Sequence, residues 1–289
     1  MDVFNQELMR RSPLAAAVLE TCDFLFDDAW PAEVYETHRG RCYEDKLSFE
    51  RFLKLTRDAL LRHKGSVHQL FVELEADKSH PIDESNFYRK LSRTPPALSR
   101  ALLRDTAARL SSLMPMMQTA FPRCFDGFEL VAGDGKTIKQ VAARLKPTRP
   151  YTASLLGGKA LVALNLRSGL AIAMSDTLDG MANDVPLVPA LLEQVRALIA
   201  SPVLSLWDRQ FDDFTTFTHL QGRDGDSFLT RVRKGGLNFT VESCVESVDD
   251  KGRKIIDEIG TFVRSSRKPG AGPLRLRRLT LMRGDGDRR

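Results

Sequence analysis

Four short apolar runs constrain the fold of this chain more than any other feature. The runs are FELVAGD (128–134), KALVALNLR (159–167), LAIAMSD (170–176) and PVLSLWD (202–208). Runs of this length, bounded by turn residues, predict buried β-strands. Ser168 and Gly169 join the second run to the third, and Asp184 and Pro186 open a helix before the fourth. With a helical stretch after the fourth run, the order β, ββ, α, β, α predicts an α/β core.

The segments on either side of this core differ from each other. After residue 226 the sequence is strand-like, in SFLTRVR (227–233), FTVESCVES (239–247), EIGTFVRSS (258–266) and LRLRRLTLM (274–282). Residues 1–125 follow helical periods, with Ser48 as a candidate N-cap. Pro95 and Pro96 separate a helix from a following arginine-rich helix. This order suits a helix-turn-helix DNA-binding unit, although many ordinary helical hairpins share it.

The cysteine and histidine patterns exclude several classes of site. The four cysteines form no CxxC pair and the five histidines form no HExxH motif, so we expect neither a zinc site nor a disulfide framework. No apolar run reaches the roughly 18 residues that a membrane helix needs. The N-terminal apolar stretch is interrupted by Glu20 and Asp23, unlike a signal peptide. We therefore expect a cytoplasmic protein that does not contact membranes.

Charge is distributed unevenly along the chain. Residues 87–149 contain 12 basic and 4 acidic residues, and residues 221–289 contain 16 and 10. Residues 150–220 between them contain 4 basic and 7 acidic residues. Basic blocks suit a polyanionic partner, because each cation that neutralises a phosphate releases counterions. A solvated charged surface would give the same counts.

Two aspartates are the candidate catalytic residues. Asp134 ends the first apolar run and precedes Gly135, and Asp208 ends the fourth run. Sites in α/β sheets form at the edge where parallel strands end. Two carboxylates there could hold Mg²⁺, a hard cation that takes oxygen ligands. Alternatively, each aspartate merely begins a turn, which is common after a strand.

The segments around these aspartates resemble the bacterial insertion-sequence transposases of the DDE type, which have an RNase H-like core. VAGDGKTIKQVAARLK (131–146) is similar to the family's first-aspartate motif, and residues 157–195 resemble its β-hairpin and following helix. SLWDRQFDDFTTFTHLQ (205–221) is similar to the second-aspartate motif, and SFLTRVRKGG (227–236) to the next strand. The resemblance covers roughly residues 128–283. It is closest to the branch that inserts a β-strand domain before the final glutamate.

This resemblance implies an α/β fold with three parts. Residues 126–225 would form an RNase H-like mixed sheet core, residues 1–125 a helical DNA-binding domain, and residues 226–289 a β-rich insertion. Asp134 and Asp208 would be catalytic ligands of Mg²⁺ or Mn²⁺. The implied reaction is two-metal phosphoryl transfer, which cuts and joins transposon-end DNA.

The resemblance also implies DNA contacts. The candidate DNA-binding residues are Arg209, Arg231, Arg233, Lys234, Lys136 and Lys139. Phosphate contacts of this kind set the register of a protein on DNA without reading its sequence. Any one of these residues could equally be a solvent-facing cation. The implied partner is double-stranded DNA, at transposon ends and target, handled by a homodimer on paired ends in a nucleoid-associated location.

One part of the family pattern is not matched. The family's third acid lies on a Tyr-x-x-Arg-Trp-x-Ile-Glu helix beyond the β insertion, and no segment here resembles that helix. Glu242, Glu246 and Glu258 are the possible substitutes. From the short polar ending MRGDGDRR we expect a C-terminally truncated, inactive or impaired transposase, with one sheet face uncovered. The alternatives are a non-catalytic DNA-binding fragment or inhibitor of transposition, and a non-transposing nuclease.

Overall fold

The computed structural model describes residues 9–26, 29–41, 46–76, 82–113, 121–137, 158–232, 238–263 and 273–282. The N-terminal helices are α1 (Pro13–Leu25), α2 (Ala29–His38), α3 (Phe49–Arg62), α4 (Val67–Ala76), α5 (Glu84–Arg93) and α6 (Pro96–Ser111). The helical N-terminal part expected from the sequence is therefore confirmed.

Local signals and one aromatic cluster fix these helices. The Ser48 hydroxyl accepts a hydrogen bond from the Arg51 backbone N–H and caps α3, as predicted. Asp83 caps α5 in the same way. Four phenylalanines from α3, α4 and α5 are buried together, and these are Phe49, Phe52, Phe71 and Phe87. Their burial holds the three helices against one another, since isolated helices of this length are marginal in water.

The central sheet has the order β3-β2-β1-β4-β5. Its strands are β1 (Glu129–Thr137), β2 (Lys159–Asn165), β3 (Leu170–Thr177), β4 (Val203–Trp207) and β5 (Ser227–Thr230). β2 is antiparallel to both β1 and β3, whereas β1, β4 and β5 are parallel. This five-stranded mixed sheet confirms the α/β class that the sequence predicted.

Two helices connect the parallel strands. α7 (Val188–Leu198) lies between β3 and β4, and α8 (Phe214–Leu220) lies between β4 and β5. α7 buries Val188, Leu191 and Val195 against the sheet, where Leu161 and Ala173 are also buried. Because alternate strand residues face opposite sides, α7 covers one face of the sheet only.

The second sheet is antiparallel and has three strands in the order β6-β7-β8. These are β6 (Phe239–Val248), β7 (Lys254–Phe262) and β8 (Leu274–Met282). One end of this sheet packs on the central core through Phe262, Phe239 and Leu274. Gly260 lets the Phe239 ring approach the sheet, because a Cβ at Gly260 would lie 2.8 Å from that ring.

Several strand boundaries differ from the sequence prediction, among them the end of β1 and the start of β7. β1 does not end at Asp134 but continues to Thr137, because it pairs with β2 as far as Lys159. Its pairing with β4 stops at Gly133. β7 begins at Lys254 rather than at residue 258, because it pairs with β6 along its whole length.

The arginine-rich helix α6 packs against the core. Arg100 forms an ion pair with Asp176 of β3, and Arg104 pairs with Asp105. Arg109 donates a hydrogen bond to the Phe24 carbonyl and stacks on the rings of Phe24 and Trp30. The arginines predicted for a DNA-reading helix are thus engaged within the molecule, so α6 links the helical part to β3. The role of residues 1–125 as a DNA-binding domain stays a prediction.

The helices of the described ranges include none that is both long and apolar enough to cross a membrane.

Candidate functional site

The candidate site lies at the edge of the central sheet where its parallel strands end. Asp134 is near the end of β1, Asp208 directly follows β4, and Arg231 directly follows β5. β1, β4 and β5 run in the same direction, so these three positions share one edge. This is the edge at which sites of open α/β sheets are built.

The two aspartates are neighbours across the sheet. Gly133 of β1 is in register with Trp207 of β4, so the next positions along the two strands are Asp134 and Asp208. Adjacent strands lie about 4.8 Å apart, so the two aspartates occupy neighbouring backbone positions at this edge. The Trp207 ring packs directly on Gly133, where a Cβ would lie 2.4 Å from a ring carbon. Glycine is therefore required at residue 133 for this approach.

The hydrogen bonds of both carboxylates leave acceptor capacity free. Asp134 Oδ1 accepts the Gly135 N–H at 2.9 Å, and Asp208 Oδ1 accepts the Arg209 N–H at 2.7 Å. The Thr230 hydroxyl donates to the Asp208 carbonyl at 3.3 Å and ties β5 to the site. Both aspartates are exposed, and neither forms an ion pair with a described residue. Each therefore keeps a carboxylate oxygen that a cation could use.

This donor set fits a hard divalent cation. Mg²⁺ binds through one or two carboxylates, keeps several water ligands and also takes substrate phosphate oxygens. Across the part of the chain that the structure describes, no group of three histidine, cysteine or acidic side chains could hold a metal ion. A cation at this edge would accordingly have Asp134 and Asp208 as its protein ligands.

The three glutamates considered as a third acid lie in the second sheet. Glu242 accepts hydrogen bonds from Thr261 and Arg275, Glu246 pairs with Lys254, and Glu258 pairs with Arg278. The hydroxyl of Thr261, and then the guanidinium of Arg275, hold the pKa of Glu242 below its usual range. The Glu246 and Glu258 pairs join neighbouring strands of that sheet, and the Glu242–Arg275 pair reaches from β6 to β8, which is a structural role.

Three of the six predicted DNA-binding residues are exposed around the aspartates. Lys136 lies two residues after Asp134 on β1, Arg209 follows Asp208, and Arg231 follows β5. Together they place positive charge on both sides of the acidic pair, as phosphate binding requires. The other three, Arg233, Lys234 and Lys139, lie outside the described residues.

Sequence reasoning missed one contact at this site. Asp184 was expected only to open a helix, but its carboxylate lies against Gly135, the residue after Asp134. Asp184 Oδ1 also forms an ion pair with Lys159 Nζ at 3.2 Å. The glycine after the aspartate was the one available signal, since glycine often marks a close approach.

Comparisons with known proteins give no family for this chain. No protein-family model matches it, and no curated protein matches it. Among solved structures it is similar to the native protease-reverse transcriptase of prototype foamy virus, with 10% sequence identity and a TM-score of 0.21. The match covers 91% of this chain and 33% of that chain, so the chain spans about a third of that protein's length. A TM-score this low does not indicate a common fold.

Proposed function

We propose that this chain is a DNA transposase of the DDE type, in which Asp134 and Asp208 hold Mg²⁺ or Mn²⁺. The observation that carries the proposal is the register of β1 and β4, which sets the two aspartates side by side at one edge of an RNase H-like sheet. The position of the second sheet, after β5, supports the branch with a β insertion.

The chemistry of this site would be phosphodiester cleavage and joining. When bound, the cations activate a water or a 3′-hydroxyl for in-line attack and stabilise the leaving oxygen. Asp134 and Asp208 supply carboxylate oxygens for this, with one oxygen of each oriented by a backbone N–H. Lys136, Arg209 and Arg231 are placed to contact the phosphates on either side of the attacked bond.

Double-stranded DNA is the proposed partner, bound across the basic residues that surround the aspartates. With two acids rather than three, we expect cleavage to be slower than in a site with a complete set of carboxylates. A site with fewer carboxylates also neutralises less of the charge of the cation.

The test uses the full chain and a plasmid that carries the DNA from both sides of its own gene. We expect cleavage at discrete ends in Mg²⁺ or Mn²⁺, and loss of that cleavage in Asp134→Asn and in Asp208→Asn. An unrelated plasmid is the matched substrate control. Equal hydrolysis of both plasmids would instead indicate a non-transposing nuclease.

Two further outcomes contradict the proposed activity. One is cleavage that survives both substitutions, since the aspartates would then not be ligands. The other is no metal-dependent cleavage at all. In that case, DNA binding that neither substitution alters would favour a non-catalytic DNA-binding protein.

A further inference from the structure

A chain of three contacts leads from the opposite face of the sheet to Asp134. Lys159 Nζ lies 3.2 Å from Asp184 Oδ1, and the Asp184 carboxylate lies against Gly135. The Gly135 N–H donates to Asp134 Oδ1 at 2.9 Å. Gly135 therefore lies between the Asp184 carboxylate and the Asp134 carboxylate.

Asp184 does not cap the helical turn that it precedes. The turn Val185–Leu187 and helix α7 follow it, yet its side chain makes no capping hydrogen bond. An aspartate at the start of a helical segment ordinarily accepts a backbone N–H from the first turn. The carboxylate is instead directed at Lys159 and Gly135, so helix capping does not account for it.

The contact with Gly135 is close enough that any other residue there would require the Asp184 side chain to shift. A Cβ at residue 135 would lie 2.8 Å from Asp184 Oδ2 and 3.0 Å from its Cγ. The close fit at residue 135 thus comes from the Asp184 carboxylate and not from a left-handed backbone. A side chain at residue 135 would push Asp184 and β1 apart.

Asp184 acts on Asp134 through the backbone. Consecutive strand residues point to opposite faces, so the Gly135 position that Asp184 touches faces away from the Asp134 side chain. The side chains of Lys159 and Asp184 are 16% and 15% exposed. Water therefore screens their ion pair less than it would at the surface, and the pair can fix β2, β1 and the start of α7 relative to one another.

We infer that Asp184, held by Lys159, is a positioning residue that fixes the Gly135 peptide and thereby the orientation of the Asp134 carboxylate. This inference rests on the proposed function, because it concerns the same cation site. Residues that orient a metal ligand typically change metal affinity on the order of 10- to 100-fold when they are removed.

The experiment measures Mn²⁺ affinity by calorimetry on the full chain, with Mn²⁺ alone as the probe. Gly135→Ala and Asp184→Ala are expected to weaken Mn²⁺ binding at least about tenfold. Lys159→Arg keeps the ion pair and should bind Mn²⁺ almost as the unaltered chain does. Asp134→Asn, which removes a ligand, is the reference for complete loss.

A matched control separates positioning from general destabilisation. Asp226 is another acid in a sheltered ion pair, with Arg196 and Arg223, but it bonds the Val203 N–H at the opposite edge of the sheet. Asp226→Asn should lower the melting temperature and leave Mn²⁺ affinity unchanged. If Asp184→Ala does not fold, Gly135→Ala and Asp184→Asn carry the same test.

The outcomes distinguish this inference from the function on which it rests. Unchanged Mn²⁺ affinity in Gly135→Ala and Asp184→Ala, with loss in Asp134→Asn, overturns the positioning role alone. Unchanged affinity in Asp134→Asn overturns the cation site itself. Equal losses in Asp226→Asn and Asp184→Ala also overturn the positioning role, because stability would then explain both.

Discussion

The two sheets of this protein use acidic residues in opposite ways. Each of the four carboxylates on the strands of the second sheet pairs with a cation across the strands, in the pairs Glu242–Arg275, Glu246–Lys254, Asp257–Arg277 and Glu258–Arg278. At the edge of the central sheet, Asp134 and Asp208 are adjacent, exposed and not ion-paired with any described residue. Pairs of opposite charges across strands stabilise a sheet. Two like charges side by side are instead what the proposed cation site requires.

The largest expected effect concerns the packing that aligns the two aspartates. Trp207 is 6% exposed and lies on Gly133, so Trp207→Ala should cost about 3–5 kcal/mol of unfolding free energy. Urea unfolding measures this loss. Leu229→Ala, at a 55% exposed position of β5, is the control and should change little. A loss below about 1 kcal/mol in Trp207→Ala would show that this contact does not set the register of β1 and β4.

The next effect tests whether the paired acids of the second sheet stabilise it. The Glu258 side chain is 14% exposed and accepts a hydrogen bond from Arg278, which also stacks on Phe239. Glu258→Gln should therefore lower the unfolding free energy by about 1–2 kcal/mol. Glu246→Gln, whose pair with Lys254 is half exposed, should show less. Equal losses of unfolding free energy in the two variants would contradict the prediction that burial strengthens the ion pair.

Replacing an acid by its amide at the candidate site should raise the unfolding free energy instead of lowering it. In EDTA, Asp208→Asn removes one of two neighbouring like charges and keeps an oxygen for the Arg209 N–H. We expect a gain in unfolding free energy below about 1 kcal/mol, because the carboxylates are exposed to water. Urea unfolding in EDTA checks the sign. A loss of 1 kcal/mol or more would mean that Asp208 is a structural turn residue.

The smallest effect is a shift in titration. The Arg277 guanidinium donates to Asp257 and holds the pKa of that carboxyl below its ordinary value of 3.8, and the same bond raises the pKa of Arg277. The stabilisation is therefore complete at neutral pH and is lost as pH falls through the lowered pKa of Asp257. Carboxyl NMR titration should show this pKa moving up toward 3.8 in Arg277→Gln. An unchanged Asp257 pKa in Arg277→Gln would show that the two side chains do not pair in solution.

The sequence predicted the elements whose signals are local. The cap at Ser48 and the turn at Ser168 and Gly169 depend on residues within a few positions of each other, and the structure has them. The apolar runs predicted the strands of the core. The two aspartates were predicted from their place at the ends of such runs, together with the family resemblance.

What the sequence did not reveal depends on contacts between distant segments. β1 passes Asp134 because β2 continues to pair with it, and Asp184 meets Gly135 only once α7 has folded onto the sheet. The basic count after residue 221 suggested polyanion binding. The register of β7 and β8 instead sets Arg277 and Arg278 against carboxylates of β7, and Arg275 pairs with Glu242 of β6. Composition gives the number of charged residues but not which of them pair with each other.

The most direct test of the central claim is whether Asp134 and Asp208 hold the same cation. Mn²⁺ affinity should be measured by calorimetry for the unaltered chain, Asp134→Asn, Asp208→Asn and the double variant. If both carboxylates bind one ion, each single substitution should abolish most of the binding and the double variant should lose little more. Losses that add independently, or Mn²⁺ binding that persists in the double variant, would contradict a shared site at this edge of the sheet.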